Sequence, residues 1–91
     1  MKKIAFFLVL ILLSFGETIA QEKLVTKANE KYNNYSFSPA IDIYNRVLEK
    51  GYVSADLLGK LGNSYYFNAD YKEAAAIYKR LVNEFEADVK A

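Results

Sequence analysis

The 91-residue chain contains no cysteine and no histidine, and these two absences exclude several kinds of site. Without cysteine it forms no disulfide, has no thiolate metal ligand and offers no cysteine for lipid attachment. Without histidine it lacks the commonest metal ligand and the only side chain whose unperturbed pKa lies near neutrality. We therefore predict no metal site and no cofactor.

An excess of charge of either sign is also missing. When Lys2, Lys3 and Glu17 are set aside with the amino-terminal leader, 10 basic and 10 acidic residues remain. A neutral chain does not attract nucleic acid or acidic lipid over a distance, so we predict that it binds no nucleic acid. Acid–base catalysis needs carboxylates in a sheltered pocket, whereas the acids here are spread along the chain. We predict that the protein is not an enzyme and has no catalytic residues.

The one long hydrophobic run lies at the amino terminus. Two lysines precede an apolar stretch at 4–13, and the small residues Thr18 and Ala20 stand three and one positions before Gln21. This order is typical of a secretory signal peptide. Ten to twelve apolar residues extend only about 15 to 18 Å as a helix, against a hydrocarbon core of roughly 30 Å. We predict a cleavable signal peptide at 1–20, and the alternative is an uncleaved amino-terminal anchor.

The rest of the chain repeats with a period of 34 residues. Eight of the 27 positions from 24 to 50 carry the same residue 34 positions later, which indicates stacked supersecondary units. The identical pairs are Leu24/Leu58, Asn29/Asn63, Tyr32/Tyr66, Asn34/Asn68, Ala40/Ala74, Ile43/Ile77, Tyr44/Tyr78 and Arg46/Arg80.

Each period contains two helical patterns. Apolar residues recur at three- and four-residue steps, as in Leu58, Leu61 and Tyr65, which is the spacing of a helix that buries one face. Neither strand alternation nor a hairpin turn competes with this interpretation. We therefore predict an all-α fold of two helix pairs, with a first unit at 21–54, a second unit at 55–88 and a short tail at 89–91.

Cap residues predict where the helices begin and end. Ser38, followed by proline, and Asp70, three residues before Glu73, are expected to cap the second helix of each pair. Gly51 is expected to close the first unit in the left-handed conformation. Ser54 is expected to cap the helix that opens the second unit.

These residues resemble the tetratricopeptide repeat, whose 34-residue signature has a Leu-Gly pair, a tyrosine three positions later and an alanine twelve after the glycine. The second unit matches it closely, whereas the first has Ala28 for the glycine and Lys31 for the tyrosine, and neither unit has the closing proline. The resemblance implies two antiparallel helix-turn-helix units of an α-solenoid. The signature and core positions that it implies are Ala28, Ala40, Tyr44, Leu58, Leu61, Gly62, Tyr65, Tyr71, Ala74, Tyr78 and Leu81.

A narrower resemblance concerns the leader ending in Ala-Gln, the Asn-Asn-Tyr-Ser-Phe stretch and the segment from Leu61 to Tyr71. Together they are similar to the amino-terminal part of exported OmpA-family proteins of gliding-type bacteria. In those proteins tetratricopeptide repeats precede a β-propeller and a peptidoglycan-binding OmpA-like domain, and some belong to type IX secretion or gliding machinery. The resemblance implies export, a periplasmic or outer-membrane-associated location, and membrane contact only through the signal peptide or through domains outside these residues.

In the tetratricopeptide family the first helix of each pair lines a concave groove that binds a partner protein. Asn29 and Asn63 are candidates to hydrogen-bond a peptide backbone, and Tyr32 and Tyr66 offer amphipathic contact area. The alternative is that these tyrosines pack within the chain and the asparagines are solvated. The predicted groove residues are Asn29, Tyr32, Asn33, Asn63, Tyr66 and Phe67.

The last helix raises a packing problem, because a repeat array generally needs three or more units and a polar capping helix. Ile77, Leu81 and Phe85 give it an apolar face. Either the chain is a fragment of a longer protein, or this face pairs with another chain, including a second copy. We predict a scaffold that binds a protein partner; the alternative is a membrane-anchored helical spacer or self-associating structural protein without a ligand groove.

Overall fold

The computed structural model describes residues 19–86, and every regular element in that range is an α-helix. The predicted all-α fold is therefore confirmed for this part of the chain. The predicted signal peptide lies outside the described residues except for Ile19 and Ala20, and the predicted tail lies outside them entirely. The helices are α1 at 19–33, α2 at Phe37–Glu49, α3 at Ala55–Phe67 and α4 at Tyr71–Glu84.

The four helices form two pairs, α1 with α2 and α3 with α4. In the first pair, the rings of Tyr32 and Phe37 meet beside the turn with centroids 5.9 Å apart, and Asn29 and Tyr44 meet farther from it. These two contacts show that the chain reverses direction between the helices. The second pair makes the same contacts 34 residues later, between Tyr66 and Tyr71 and between Asn63 and Tyr78.

Both turns within the pairs contain a non-glycine residue with positive φ, Tyr35 at 61° and Ala69 at 64°. Side chains make this conformation costly, so it persists only where the surrounding bonds require it. Here the N–H of Ser36 donates to the Lys31 carbonyl at 2.8 Å, and the corresponding bond from Asp70 has the same length. Each first helix therefore ends in a Schellman motif and the chain enters the next helix at once.

The loop between the units follows the prediction at both ends. Gly51 has φ of 89°, and the N–H of Tyr52 donates to the Val47 carbonyl at 3.3 Å, which closes α2. Ser54 then caps α3, because its Oγ accepts a hydrogen bond from the Leu57 N–H at 3.1 Å.

The predicted caps of the other two helices are wrong in detail. The three-residue turn after α1 starts α2 two residues earlier than expected, so its N-cap is Ser36 and not Ser38. Asp70 does occupy the N-cap position of α4, but its side chain makes no capping bond. Its Oδ2 accepts instead from Asn68 Nδ2 at 2.9 Å, so the expected capping box with Glu73 does not form.

A single core joins the four helices, and five of the eleven predicted core positions are members of its buried cluster, with Tyr65 and Leu81 packed against it. Tyr44 and Leu61 are fully buried in it. Burying an aliphatic side chain such as that of Leu61 contributes about 1.5–3 kcal/mol. Tyr71 is an exception, since it is 61 % exposed at the surface beside Tyr66. The buried apolar residues that form the cluster are Ala28, Ala40, Ile41, Ile43, Tyr44, Val47, Leu57, Leu58 and Leu61.

Gly62 lies where α3 packs against the Tyr78 ring of α4. A Cβ atom built on it would stand 2.5 Å from Cε1 of Tyr78. A small residue is therefore required at this crossing, as its position in the repeat predicts. Ala74 of α4 is also buried, at 2 % exposure.

Candidate partner-binding groove

An open groove with a volume of about 470 Å³ runs along α3 between α1 and α4. Two of the predicted groove residues, Tyr32 and Asn63, line it. Leu81, predicted both as a core residue and as part of the apolar face of the last helix, also reaches it. The full lining is Tyr32, Ala55, Asp56, Gly59, Lys60, Asn63 and Leu81.

A chain of hydrogen bonds crosses this groove wall and joins three helices. The hydroxyl of Tyr78 on α4 donates to Asn63 Oδ1 at 2.6 Å, and Asn63 Nδ2 on α3 donates to the hydroxyl oxygen of Tyr32 on α1 at 3.1 Å. A hydroxyl that accepts one bond still has its own proton to donate, and an amide nitrogen has a second hydrogen. Tyr32 and Asn63 are therefore held in place as hydrogen-bond donors at the groove.

The first unit contains the counterpart of the bond between Tyr78 and Asn63. The hydroxyl of Tyr44 donates to Asn29 Oδ1 at 2.5 Å. Burial, with smaller contributions from the charges of Asp56 and Tyr32, raises the pKa of Tyr44 well above its usual value. Burial is also the first cause of the raised pKa of Tyr78. Both hydroxyls therefore stay protonated and keep donating at neutral pH.

These bonds give the predicted asparagines a role that the sequence analysis missed. Asn29 and Asn63 were expected to face either a peptide or solvent, but each uses its side-chain oxygen to hold a tyrosine of the paired helix. The signal was available, because both Asn–Tyr pairs are 15 residues apart and recur with the 34-residue period. Asn63 also uses one amide hydrogen for Tyr32 and keeps the other for a partner, whereas Asn29 keeps both.

The rim and floor of the groove differ in polarity. At the rim, Lys60 Nζ lies 3.0 Å from Asp56 Oδ2, so the two charges are paired across one turn of α3. On the floor, Gly59 leaves space, since a Cβ atom built on Gly59 would stand 4.0 Å from Leu81 Cδ2. The groove therefore offers neutral donors above an apolar floor.

Three other predicted groove residues, Asn33, Tyr66 and Phe67, lie on a second surface. Phe67 stacks on Phe37 with centroids 5.1 Å apart and an interplanar angle of 28°, which joins the turns of the two units. A smaller pocket of about 220 Å³ opens there, whereas Tyr66 is 52 % exposed and contacts Phe67 and Tyr71. The pocket is lined by Tyr32, Asn33, Tyr35, Phe37 and Phe67.

No protein-family model matches the chain, and neither a curated protein nor a solved structure matches it. Within residues 19–86, no three acidic, histidine or cysteine side chains are grouped to hold a metal ion. In the same range, no helix has both the length and the hydropathy needed to cross a bilayer.

Proposed function

We propose that the protein is an exported, non-enzymatic scaffold of the tetratricopeptide type that binds a peptide segment of a partner protein in the groove lined by Tyr32, Gly59 and Asn63. The observation that carries this proposal is the hydrogen-bond chain from Tyr78 through Asn63 to Tyr32. It holds two donors in fixed positions beside an open apolar floor.

A peptide fits this chemistry better than a charged ligand does. Its main-chain carbonyls accept hydrogen bonds from the Tyr32 hydroxyl and the Asn63 amide, and an apolar side chain fits over Gly59 against Leu81. The paired charges of Asp56 and Lys60 leave no excess charge to select an ion. The groove needs no cofactor for this role.

The repeat and the leader support the remaining parts of the proposal. The Asn–Tyr bond within each helix pair and the left-handed turn residue both recur after 34 residues, which is the tetratricopeptide period. The leader at 1–20 has the pattern of a signal peptide, which supports export to the periplasm or association with the outer membrane. By resemblance, the whole protein is an OmpA-family envelope protein with this segment at its amino terminus.

The test is a selection of random displayed peptides on the immobilised 91-residue chain, followed by fluorescence anisotropy with the enriched sequences. Tyr32→Phe keeps the ring but removes the hydroxyl, so we expect it to weaken binding about tenfold, the equivalent of one hydrogen bond. Tyr52→Phe is the matched control, because Tyr52 is 37 % exposed and does not line the groove.

Enriched peptides that bind both variants equally would place the binding site elsewhere. A selection that enriches no peptide would favour the helical spacer, which has no ligand groove. Circular dichroism of each variant checks that the helices are intact.

A further inference from the structure

The second unit covers one face of the first unit through three side-chain contacts. They involve α1, the start of α2 and the middle of α2. Two of them are hydrogen bonds, and the one between them is a ring stack. The pairs are Asn63 Nδ2 with the Tyr32 hydroxyl at 3.1 Å, Phe67 with Phe37 at 5.1 Å, and Asn45 Nδ2 with the Tyr65 hydroxyl at 2.9 Å.

The covered face of α2 extends along the helix from Asn45. Ile41 lies four residues before it and Leu48 three residues after it, so the three side chains share one side of the helix. Ile41 is 8 % exposed and Leu48 packs against the core. By contrast, Asp42 is exposed.

The second unit presents the same positions without a cover in the described part of the chain. Tyr66 and Tyr71 are 52 % and 61 % exposed, Val82 is 46 % exposed, and Ala75 and Lys79 are exposed as well. These five residues, which we call the open face, correspond by the 34-residue period to Tyr32, Phe37, Leu48, Ile41 and Asn45.

We propose that the open face binds an amphipathic helix of another polypeptide in the arrangement that α3 adopts on the first unit. Continuity of the existing interface defines the chemistry of this helix. It carries a side-chain amide for the Tyr66 hydroxyl and, four residues later, an aromatic ring for Tyr71. These two groups correspond to Asn63, which bonds Tyr32, and to Phe67, which stacks on Phe37. Between them it carries a hydrogen-bond acceptor for Lys79.

A second copy of the chain does not supply such a helix. Its α3 is already buried in its own core, where Leu57 and Leu61 are 1 % and 0 % exposed. Its α1 has Lys23 and Lys27 at the corresponding positions, and both are exposed. Docking α1 on the open face would bury these two charges, which is costly without partners. The opposite ends of the stack are therefore not complementary.

The probe for this surface is a fluorescein-labelled peptide of residues 54–68, which contains α3 and its cap. A lactam between Asp56 and Lys60, which already form an ion pair at 3.0 Å, keeps the isolated peptide helical. We expect saturable binding to the 91-residue chain by fluorescence anisotropy. A peptide with Leu57→Lys and Leu61→Lys copies the pattern of α1 and is expected not to bind.

Two neighbouring alanines of α4 give the matched variants of the protein. Ala75→Glu places a carboxylate where the first unit buries Ile41, so we expect affinity for the peptide to fall at least tenfold. Ala76→Glu, at the position of the exposed Asp42, is expected to change nothing. Both alanines are exposed and neither lines the groove, so folding and groove binding stay intact and the two proposals are tested separately.

Three results would overturn the proposal. The first is the absence of saturable binding by a peptide that circular dichroism shows to be helical. The second is an equal loss of binding in both alanine variants. The third is a dimer in sedimentation equilibrium that Ala75→Glu dissociates and Ala76→Glu does not, because it would assign the open face to a second copy.

Discussion

Gly59 and Gly62 lie three residues apart on α3 but meet different surroundings. A Cβ on Gly62 would stand 2.5 Å from Tyr78, whereas a Cβ on Gly59 would meet only Leu81 at 4.0 Å. The same substitution therefore has opposite effects on stability at the two positions.

We predict that Gly62→Ala destabilises the fold by about 1–3 kcal/mol, because the tyrosine ring must shift. Gly59→Ala is expected to stabilise it by up to about 1 kcal/mol, since alanine favours a helix more than glycine does. Urea unfolding followed by circular dichroism measures both. A loss of stability in Gly59→Ala as large as that in Gly62→Ala would show that the close contact with Tyr78 is not the cause.

Individual residues also show where sequence-based reasoning is limited. The roles of Gly62 and Gly51 were predictable, because glycine is the residue expected where packing needs a small side chain or a turn needs a positive φ. Tyr35 and Ala69 have positive φ without being glycine, and nothing in their residue type indicates it. Their conformation follows from the main-chain hydrogen bonds that close α1 and α3.

At the scale of the helix, the starts of α2 and α3 differ in chemistry although both have serine at the N-cap. Ser54 accepts from the Leu57 N–H, whereas the side chain of Ser36 makes no capping bond. We predict that Ser54→Ala lowers stability by about 1 kcal/mol. Ser36→Ala is expected to cost clearly less, and thermal unfolding of the two variants measures the difference. Equal losses would mean that Oγ of Ser54 does not act as a cap.

The number, type and approximate length of the helices from α2 to α4 followed from apolar periodicity, but not every start did. Cap residues identified the beginning of α3 because a loop precedes it. The beginning of α2 was misplaced by two residues, since the Schellman turn before it leaves no room for a separate cap at Ser38. Asp70 nevertheless stands at the predicted start of α4, although α3 has just ended and the Asp70 side chain makes no capping bond.

At the scale of the whole molecule, the buried Tyr44 links stability to alkaline pH. Its folded-state pKa is raised above the unfolded value of 10.0, so the protonated form is favoured by folding. The contribution is fully present below the unfolded pKa and is lost as pH rises above it. We predict that the free energy of unfolding falls as pH increases beyond about 10.

Tyr44→Phe is expected to cost about 1 kcal/mol at neutral pH, because Asn29 loses its hydrogen bond, and to make the alkaline decline shallower. Tyr35→Phe is the control, since Tyr35 is 81 % exposed. Urea midpoints measured across the alkaline range test this. An unchanged slope in Tyr44→Phe would show that another group causes the decline.

The architecture of the molecule was more predictable than its surfaces. The period of 34 residues indicated two helix pairs, and the described helices form two pairs. The predicted groove residues nevertheless separate, with Tyr32 and Asn63 at one surface and Phe67 beside Phe37 at another. Position within a repeat places a residue on a helix face, but which faces remain uncovered depends on how the units pack.

The bond between Asn63 and Tyr32 spans 31 residues and joins one unit to the one before it. Each unit carries both halves of this joint, because Asn29 and Tyr66 occupy the same positions in the other unit. A tandem duplication of 34 codons would therefore copy donor and acceptor together and lengthen the array without new interface chemistry. A single-residue insertion in α3 before Asn63 would instead rotate its amide by about 100° around the helix and break the joint.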